Sequence, residues 1–195
     1  MYHAFASIAG KWGGMVLTGV VESGIAYGAE TKNAQLATIA KGGKIPTERV
    51  QNPMIPCGPG ISLHIARNVF AMIGIRVLCD PITQTLEKVT GQKGAAVTLA
   101  GDFTSNIAAA GLTFPIHQLY NYTVATPEIW DKPSAARIQL MKDYLSRQYL
   151  VNTPSGGKQL SAVLMRDFFL RSMYIAGGYT MYINIERACI AHWPF

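Results

Sequence analysis

The chain has 195 residues, of which 49% are hydrophobic and only 14% charged, with a formal net charge of +6. A solvated domain carries roughly a quarter charged residues, so the composition argues against an ordinary water-facing surface and for lipid or a large partner. No Lys/Arg tract with interleaved aromatics accompanies the positive charge, which argues against nucleic acid and suits anionic lipid headgroups.

The N-terminal residues Met1 to Ala6 have no basic segment and no signal-peptide layout, so targeting is expected from internal signals or a leader already removed. Four apolar, Gly/Ala-rich stretches follow: Ile8 to Tyr27, Ile61 to Leu78, Ala95 to Leu119 and Leu160 to Ile185. Each is near the ~20 residues that cross a bilayer as a helix. Charged residues interrupt all four: Glu22 in the first, Arg67 and Arg76 in the second, Asp102 in the third, and Arg166, Asp167 and Arg171 in the fourth. A lone anchor would not carry such groups. A bundle with a polar interior would, the groups facing inward or reaching headgroups from helix ends. The competing reading is a soluble helical domain with its charges outside.

Gly10 and Gly14, Gly24 and Gly28, and the series Gly101, Ser105, Ala109 are spaced four apart, which places small side chains on one helix face for close helix approach. Between the stretches, Lys41 to Gly60 and Thr126 to Pro133 carry loop composition. Ser134 to Leu150 is an amphipathic helix. Ala135, Ile138, Met141, Leu145 and Tyr149 alternate there with Arg137, Lys142, Asp143 and Arg147. It suits a membrane interface or an ordinary protein surface equally.

Offset comparison suggests an internal repeat. At 87 positions, Gly14 meets Gly101, Gly24 meets Gly111 and Gly28 meets Pro115. At 99 positions, Gly58 meets Gly157, and Arg67-Asn68-Val69-Phe70 meets Arg166-Asp167-Phe168-Phe169. The expected organisation is two copies of one unit, residues 1–90 and 91–195, each with two long helices and a surface segment.

The third stretch runs from Ala100-Gly101-Asp102 to Gly111-Leu112-Thr113-Phe114-Pro115-Ile116-His117-Gln118-Leu119-Tyr120. The first runs from Gly19-Val20-Val21-Glu22 to Tyr27-Gly28-Ala29-Glu30-Thr31-Lys32-Asn33. Both resemble the odd-numbered helices of the mitochondrial carrier family, nearest in wording to tricarboxylate-type carriers, with the second and fourth stretches similar to its even-numbered helices. The resemblance covers two repeats of the family's three. It implies an all-α integral membrane bundle of about four transmembrane helices in two odd–even repeats with amphipathic surface helices.

The family's signature is Pro-x-Asp/Glu-x-x-Lys/Arg, whose acids and bases form an ion-pair ring that gates transport. Here Gly28 replaces the first proline, Glu30 keeps the acid, and Asn33 replaces the base. In the second signature Pro115 remains, while His117 and Tyr120 replace the acid and the base. With the ring eroded and a repeat missing, the resemblance implies a scaffold that has lost transport. The expected function is a non-transporting, non-enzymatic accessory subunit of a mitochondrial inner-membrane complex, either a respiratory-chain complex such as one containing cytochrome c oxidase, or ATP synthase. The alternative is a solute transporter acting with a partner chain.

Helix starts attract phosphate, and the family holds cardiolipin at comparable positions. Gly58, Gly60, Gly157 and Lys158 are therefore candidate lipid contacts, or else simple turns. Arg67 and Arg166, at matching points, are further lipid candidates, with a substrate contact as the other reading. Glu22 and Asp102 suit a polar lining, a partner contact or headgroups. Cys57, Cys79 and Cys189, and His3, His64, His117 and His192, lack ligand spacing, so no metal or cofactor is expected beyond structural cardiolipin. The expected partners are phospholipid and the other subunits of a large complex.

Overall fold

The computed structural model describes residues 1–153 and 156–192. Among these the chain forms α1 (Tyr2–Ala40), α2 (Ile61–Thr90), α3 (Ala95–Ala125), α4 (Ser134–Tyr149), β1 (Leu150–Asn152), β2 (Lys158–Leu160) and α5 (Ala162–His192). The protein is therefore all-helical apart from one antiparallel hairpin, in which Leu150 pairs Leu160 and Asn152 pairs Lys158. The four apolar stretches fall in α1, α2, α3 and α5, and the amphipathic segment is α4. The hairpin was not expected. It takes Leu160 from the fourth stretch.

Among the described residues, α1 and α2 are long and apolar enough to cross a membrane. At 31 residues each, α3 and α5 have the length, but Thr, Ser, Asn and Gly dilute α3, and five charged residues between Arg166 and Arg187 punctuate α5.

Helix α1 is broken at Gly10, whose φ of 72° and ψ of 174° belong to a region open essentially to glycine alone. The break lays the backbone of Ala6 against Gly14, where a Cβ would come within 2.7 Å of the Ala6 Cα. Below the break, the buried residues Met15, Gly19, Ser23, Tyr27, Thr31 and Gln35 recur every fourth position. That spacing keeps them on one slowly drifting face.

The chain divides into two compact units, residues 1–69 with 115–165, and residues 70–114 with 166–195, the last three of which lie outside the described residues. Each unit draws on both sequence halves, so the compact units do not follow a division at residue 90.

In the first unit, Tyr27, Tyr120 and Val124 form a core with Ala34, Ile61 and Leu63 packed against it. Gly19 lets α1 approach α2, since a Cβ there would meet the Val69 backbone at 2.8 Å. Gln35 clamps the following loop by accepting from the Gln51 N–H at 2.7 Å and donating to the Arg49 carbonyl at 3.2 Å. Stacked Tyr122 and Tyr144, with centroids 4.2 Å apart, fasten α4 to α3.

In the second unit, Ile75, Ala109 and Ile183 form the core. Gly74 sits against Ala109, and Gly101 against Thr83. The Gly101–Ser105–Ala109 face thus packs on α2 as its spacing predicts. The α1 glycines behave differently. Gly14 meets the helix's own N-terminal segment, Gly28 meets the Pro53 carbonyl, and Gly24 meets nothing within 4 Å.

Both units bury polar side chains and expose apolar ones. Thr31, Gln35, His64, Asp102, Asn106 and Thr113 are fully buried, while Ile8, Ile25, Phe169 and Met181 are more than 60% exposed.

A valine at Gly74 must push into Ala109, whose Cβ would lie 2.8 Å from the new Cβ. Gly74→Val is expected to lose about 1–3 kcal/mol through overpacking, read as a lower unfolding midpoint in mild detergent. Gly24→Ala, in open space, is expected to leave the midpoint unchanged or raise it.

Candidate functional site

The first unit contains a buried polar cluster assembled from three helices. The α1 face supplies Ser23, Tyr27, Glu30 and Thr31. The start of α2 supplies His64, Arg67 and Asn68. Helix α3 supplies His117, Tyr120 and Asn121. The i, i+4 row on α1 brings hydroxyls and a carboxylate to one face, and the i, i+3 spacing of His64 and Arg67 brings both to the facing side of α2.

Arg67 lies at the centre and is 6% exposed. Its Nε donates to Asn68 Oδ1 at 2.9 Å, and Asn68 in turn donates to Ser23 Oγ at 3.1 Å. Its Nη2 lies 2.9 Å from Glu30 Oε2 and 3.0 Å from His64 Nε2. Its Nη1 lies 3.4 Å from His117 Nδ1, and the guanidinium stands 5.4 Å from the Tyr120 ring centroid. The buried cation is therefore met by a carboxylate, an amide oxygen, two imidazoles and an aromatic face, which together offset its desolvation.

Around it the rings interlock edge to face. His64 lies 5.1 Å from Tyr120 and 5.5 Å from Tyr27. Tyr27 donates to the Pro59 carbonyl at 2.7 Å, which fixes the turn before α2. The Tyr120 hydroxyl bonds Thr31 Oγ1 at 2.7 Å. His117 is held from its other nitrogen by Asn121 at 3.1 Å. His64 Nε2 also lies 3.3 Å from Glu30 Oε2, which leaves Nδ1 as its other ring nitrogen. That nitrogen is buried and has no hydrogen-bond partner among the described residues.

Three of the six signature positions meet here: Glu30, His117 and Tyr120. The other three do not. Gly28 packs on the loop at Pro53 and Ile55, and Asn33 and Pro115 are exposed. The first signature's acid thus finds its cation on α2, and the ring of Tyr120 shares that same cation.

Arg67 corrects one expectation. Buried and fully engaged, it is not placed to reach a headgroup. Its repeat counterpart Arg166 is exposed and pairs with the adjacent Asp167 at 2.8 Å. Gly157 and Lys158 are also corrected. They belong to the hairpin, where Gly157 accepts from the Thr153 N–H at 2.8 Å and Lys158 opens β2, so neither stands at a helix start. Gly58 and Gly60 do precede α2, with φ of 156° and 80°. A Cβ on Gly58 would meet Gln51 and Tyr27, and one on Gly60 would meet Tyr120 and Val124.

The second unit holds ion pairs of its own. Asp102 is fully buried and accepts from Arg187, whose Nη2 lies 3.0 Å from Oδ1, and from the Cys79 thiol at 2.9 Å. Arg76 pairs with Glu186 at 2.6 Å. Asn106 donates to Thr180 at 2.8 Å. Asp102 is therefore an internal strut between helices and faces no headgroup.

Sequence reasoning passed over Tyr27, Thr31 and His64. The available signal was the recurrence of Ser23, Tyr27, Thr31 and Gln35 on one face of an otherwise apolar helix. Compared with protein-family models, curated proteins and solved structures, the chain matches none.

The two halves of the Glu30–Arg67 pair differ in exposure, at 45% and 7% of the side chain. Glu30→Ala strands a buried cation and is expected to cost about 3–5 kcal/mol. Arg67→Met strands a carboxylate that water reaches, and is expected to cost less, under about 2 kcal/mol. Unfolding midpoints in detergent for both variants check this, and the opposite order would contradict the burial argument.

Proposed function

We propose that the protein is a multi-pass membrane subunit that serves as a structural accessory of a mitochondrial inner-membrane complex, on a degenerate carrier scaffold that no longer transports. One observation carries the membrane part. The helices bury polar side chains such as Thr31, Gln35, Asn106 and Asp102 beside their apolar cores and leave large apolar side chains such as Ile25, Phe169 and Met181 exposed, an arrangement a hydrocarbon surrounding favours over water. Helices α1 and α2 are apolar enough to span, and α3 and α5, at 31 residues each, have the length to do so. Their buried charges are paired internally: Asp102 with Arg187, and Glu186 with Arg76.

The non-transporting part is supported by the cluster around Arg67. A carrier gate has to break and re-form its ion pairs between states. Here the remaining signature acid, Glu30, is bound to a cation held by four further groups, Asn68, His64, His117 and Tyr120. His117 and Tyr120 bring no opposite charge with which Glu30 could exchange. A scaffold so fixed suits packing against other subunits. Gly58, Gly60 and the exposed Arg166 remain the candidate contacts for phospholipid, including cardiolipin.

The respiratory chain or ATP synthase is the expected host, by the family resemblance alone. The test is migration in native gels after mild detergent extraction of mitochondrial membranes. Co-migration with a respiratory complex or ATP synthase is expected, and a free monomer or dimer counts against the accessory role. Alkaline carbonate is expected to leave the protein in the membrane pellet. Reconstituted solute exchange abolished by Glu30→Gln would replace this reading with a transporter.

A further inference from the structure

Helix α4 and the hairpin that follows it, both in the first unit, carry charge that the protein leaves unanswered. Lys132, Arg137, Lys142, Arg147 and Lys158 are all exposed, and none is in an ion pair among the described residues. Arg137 donates only to a backbone group, the Lys132 carbonyl, at 2.6 Å. Three acids share residues 126–160, and the stretch keeps an excess of base. Asp131 is taken up by Arg49 at 3.0 Å, and Asp143 accepts from Gln139 at 2.9 Å. Large apolar side chains stand out beside the cations. Ile138 is 53% exposed and lies one helical turn from Lys142. Leu160 is 64% exposed and shares one face of the ribbon with Lys158, two residues away along β2. The hairpin is tied to α4, since the Ser161 N–H donates to the Tyr149 carbonyl at 2.9 Å.

Resting on the membrane reading, we propose that α4 and the hairpin lie on an anionic phospholipid surface. Ile138 and Leu160 enter the boundary between headgroups and acyl chains. Lys142 and Lys158, with Lys132, Arg137 and Arg147, meet the phosphates. Apolar side chains set beside cations bind a charged bilayer in this way. Lys158, which its strand takes away from a helix start, meets lipid here as part of the ribbon face. Depth favours the bilayer over a partner in solution. Tyr144 stacks on Tyr122 with centroids 4.2 Å apart, so the middle of α4 is held level with the last turn of α3. A helix of 31 residues is about 45 Å long, close to a bilayer with its headgroups, so its last turn lies at headgroup depth. A water-borne acidic segment would answer the cations and leave Ile138 and Leu160 in water.

The experiment uses the full chain in nanodiscs, after carbonate extraction has established membrane retention. One set holds phosphatidylcholine alone, the other phosphatidylcholine mixed with phosphatidylglycerol. Hydrogen exchange of residues 138–147 and 158–160 is followed by mass spectrometry. A docked segment opens less often, so its exchange slows. The expected slowing with phosphatidylglycerol is about fivefold, the effect of one Lys/Arg contact at an anionic leaflet. High salt is expected to abolish it in the parent protein, and Lys142→Gln/Lys158→Gln to remove most of it at low salt. Both residues are exposed and unpaired, so that variant's unfolding midpoint in detergent is expected to match the parent's. Equal exchange in the two bilayers, or slowing that high salt or the double variant leaves intact, overturns the inference and leaves the membrane reading standing. Slowing by a polyglutamate peptide but not by phosphatidylglycerol overturns it in favour of an acidic protein partner. Release of the protein by carbonate overturns both.

Discussion

A guanidinium withdrawn from water governs the first unit. Removing such a cation from solvent costs several kcal/mol even after relaxation, and the cost has to be met from three directions at once. Glu30 on α1 supplies the counter-charge, Asn68 on α2 supplies an acceptor with the His64 ring beside the pair, and Tyr120 on α3 supplies an aromatic face. The helix positions follow. Gly19 lets α1 come close enough to α2, Tyr27 ties down the turn before α2, and the Thr31–Tyr120 bond sets α3 against α1. The pair contributes less as net stability than as register, because a helix slipped by one turn would leave Arg67 without partners.

The second unit solves the same problem with different groups. Asp102 on α3 is the buried charge there and Arg187 on α5 its counter-ion, while Gly74 against Ala109 lets α2 approach α3 closely. In both units the polar side chains find their partners across helices. Hydroxyls left over, such as Thr18 and Ser23, bond back to carbonyls four residues earlier. Many buried polar groups are thereby met from within, while His64 Nδ1 and Asn106 Oδ1 are left without a hydrogen-bond partner among the described residues.

The long helices were legible because apolar length is a property of contiguous residues, and α4 because its alternation of Ile138, Met141 and Leu145 with charges is periodic. The hairpin was not. Strands of three residues are too short to show a period, and Gly156-Gly157 looks the same before a strand as before a helix. The signature positions were found in sequence, and Glu30, His117 and Tyr120 do converge. Their common partner Arg67 was assigned outward because charge at a helix start normally faces headgroups. Its burial depends on Tyr120, far along the chain, and no local pattern records that distance. The paired offsets likewise matched Arg67 with Arg166, although one is enclosed and the other exposed.

The sequence order of the two units has a bearing on how the protein is made. Residues 1–69 are synthesised first and already contain Glu30, His64 and Arg67, so the ion pair can form early. The aromatic face and the second imidazole arrive only with Tyr120 and His117, after the whole 70–114 segment of the other unit has emerged. Until then the cation is half-enclosed. A chain arrested near residue 90 would hold an ion pair without its roof, and neither unit could be complete. Assembly is therefore obliged to interleave, and neither unit can close before α3 has been made.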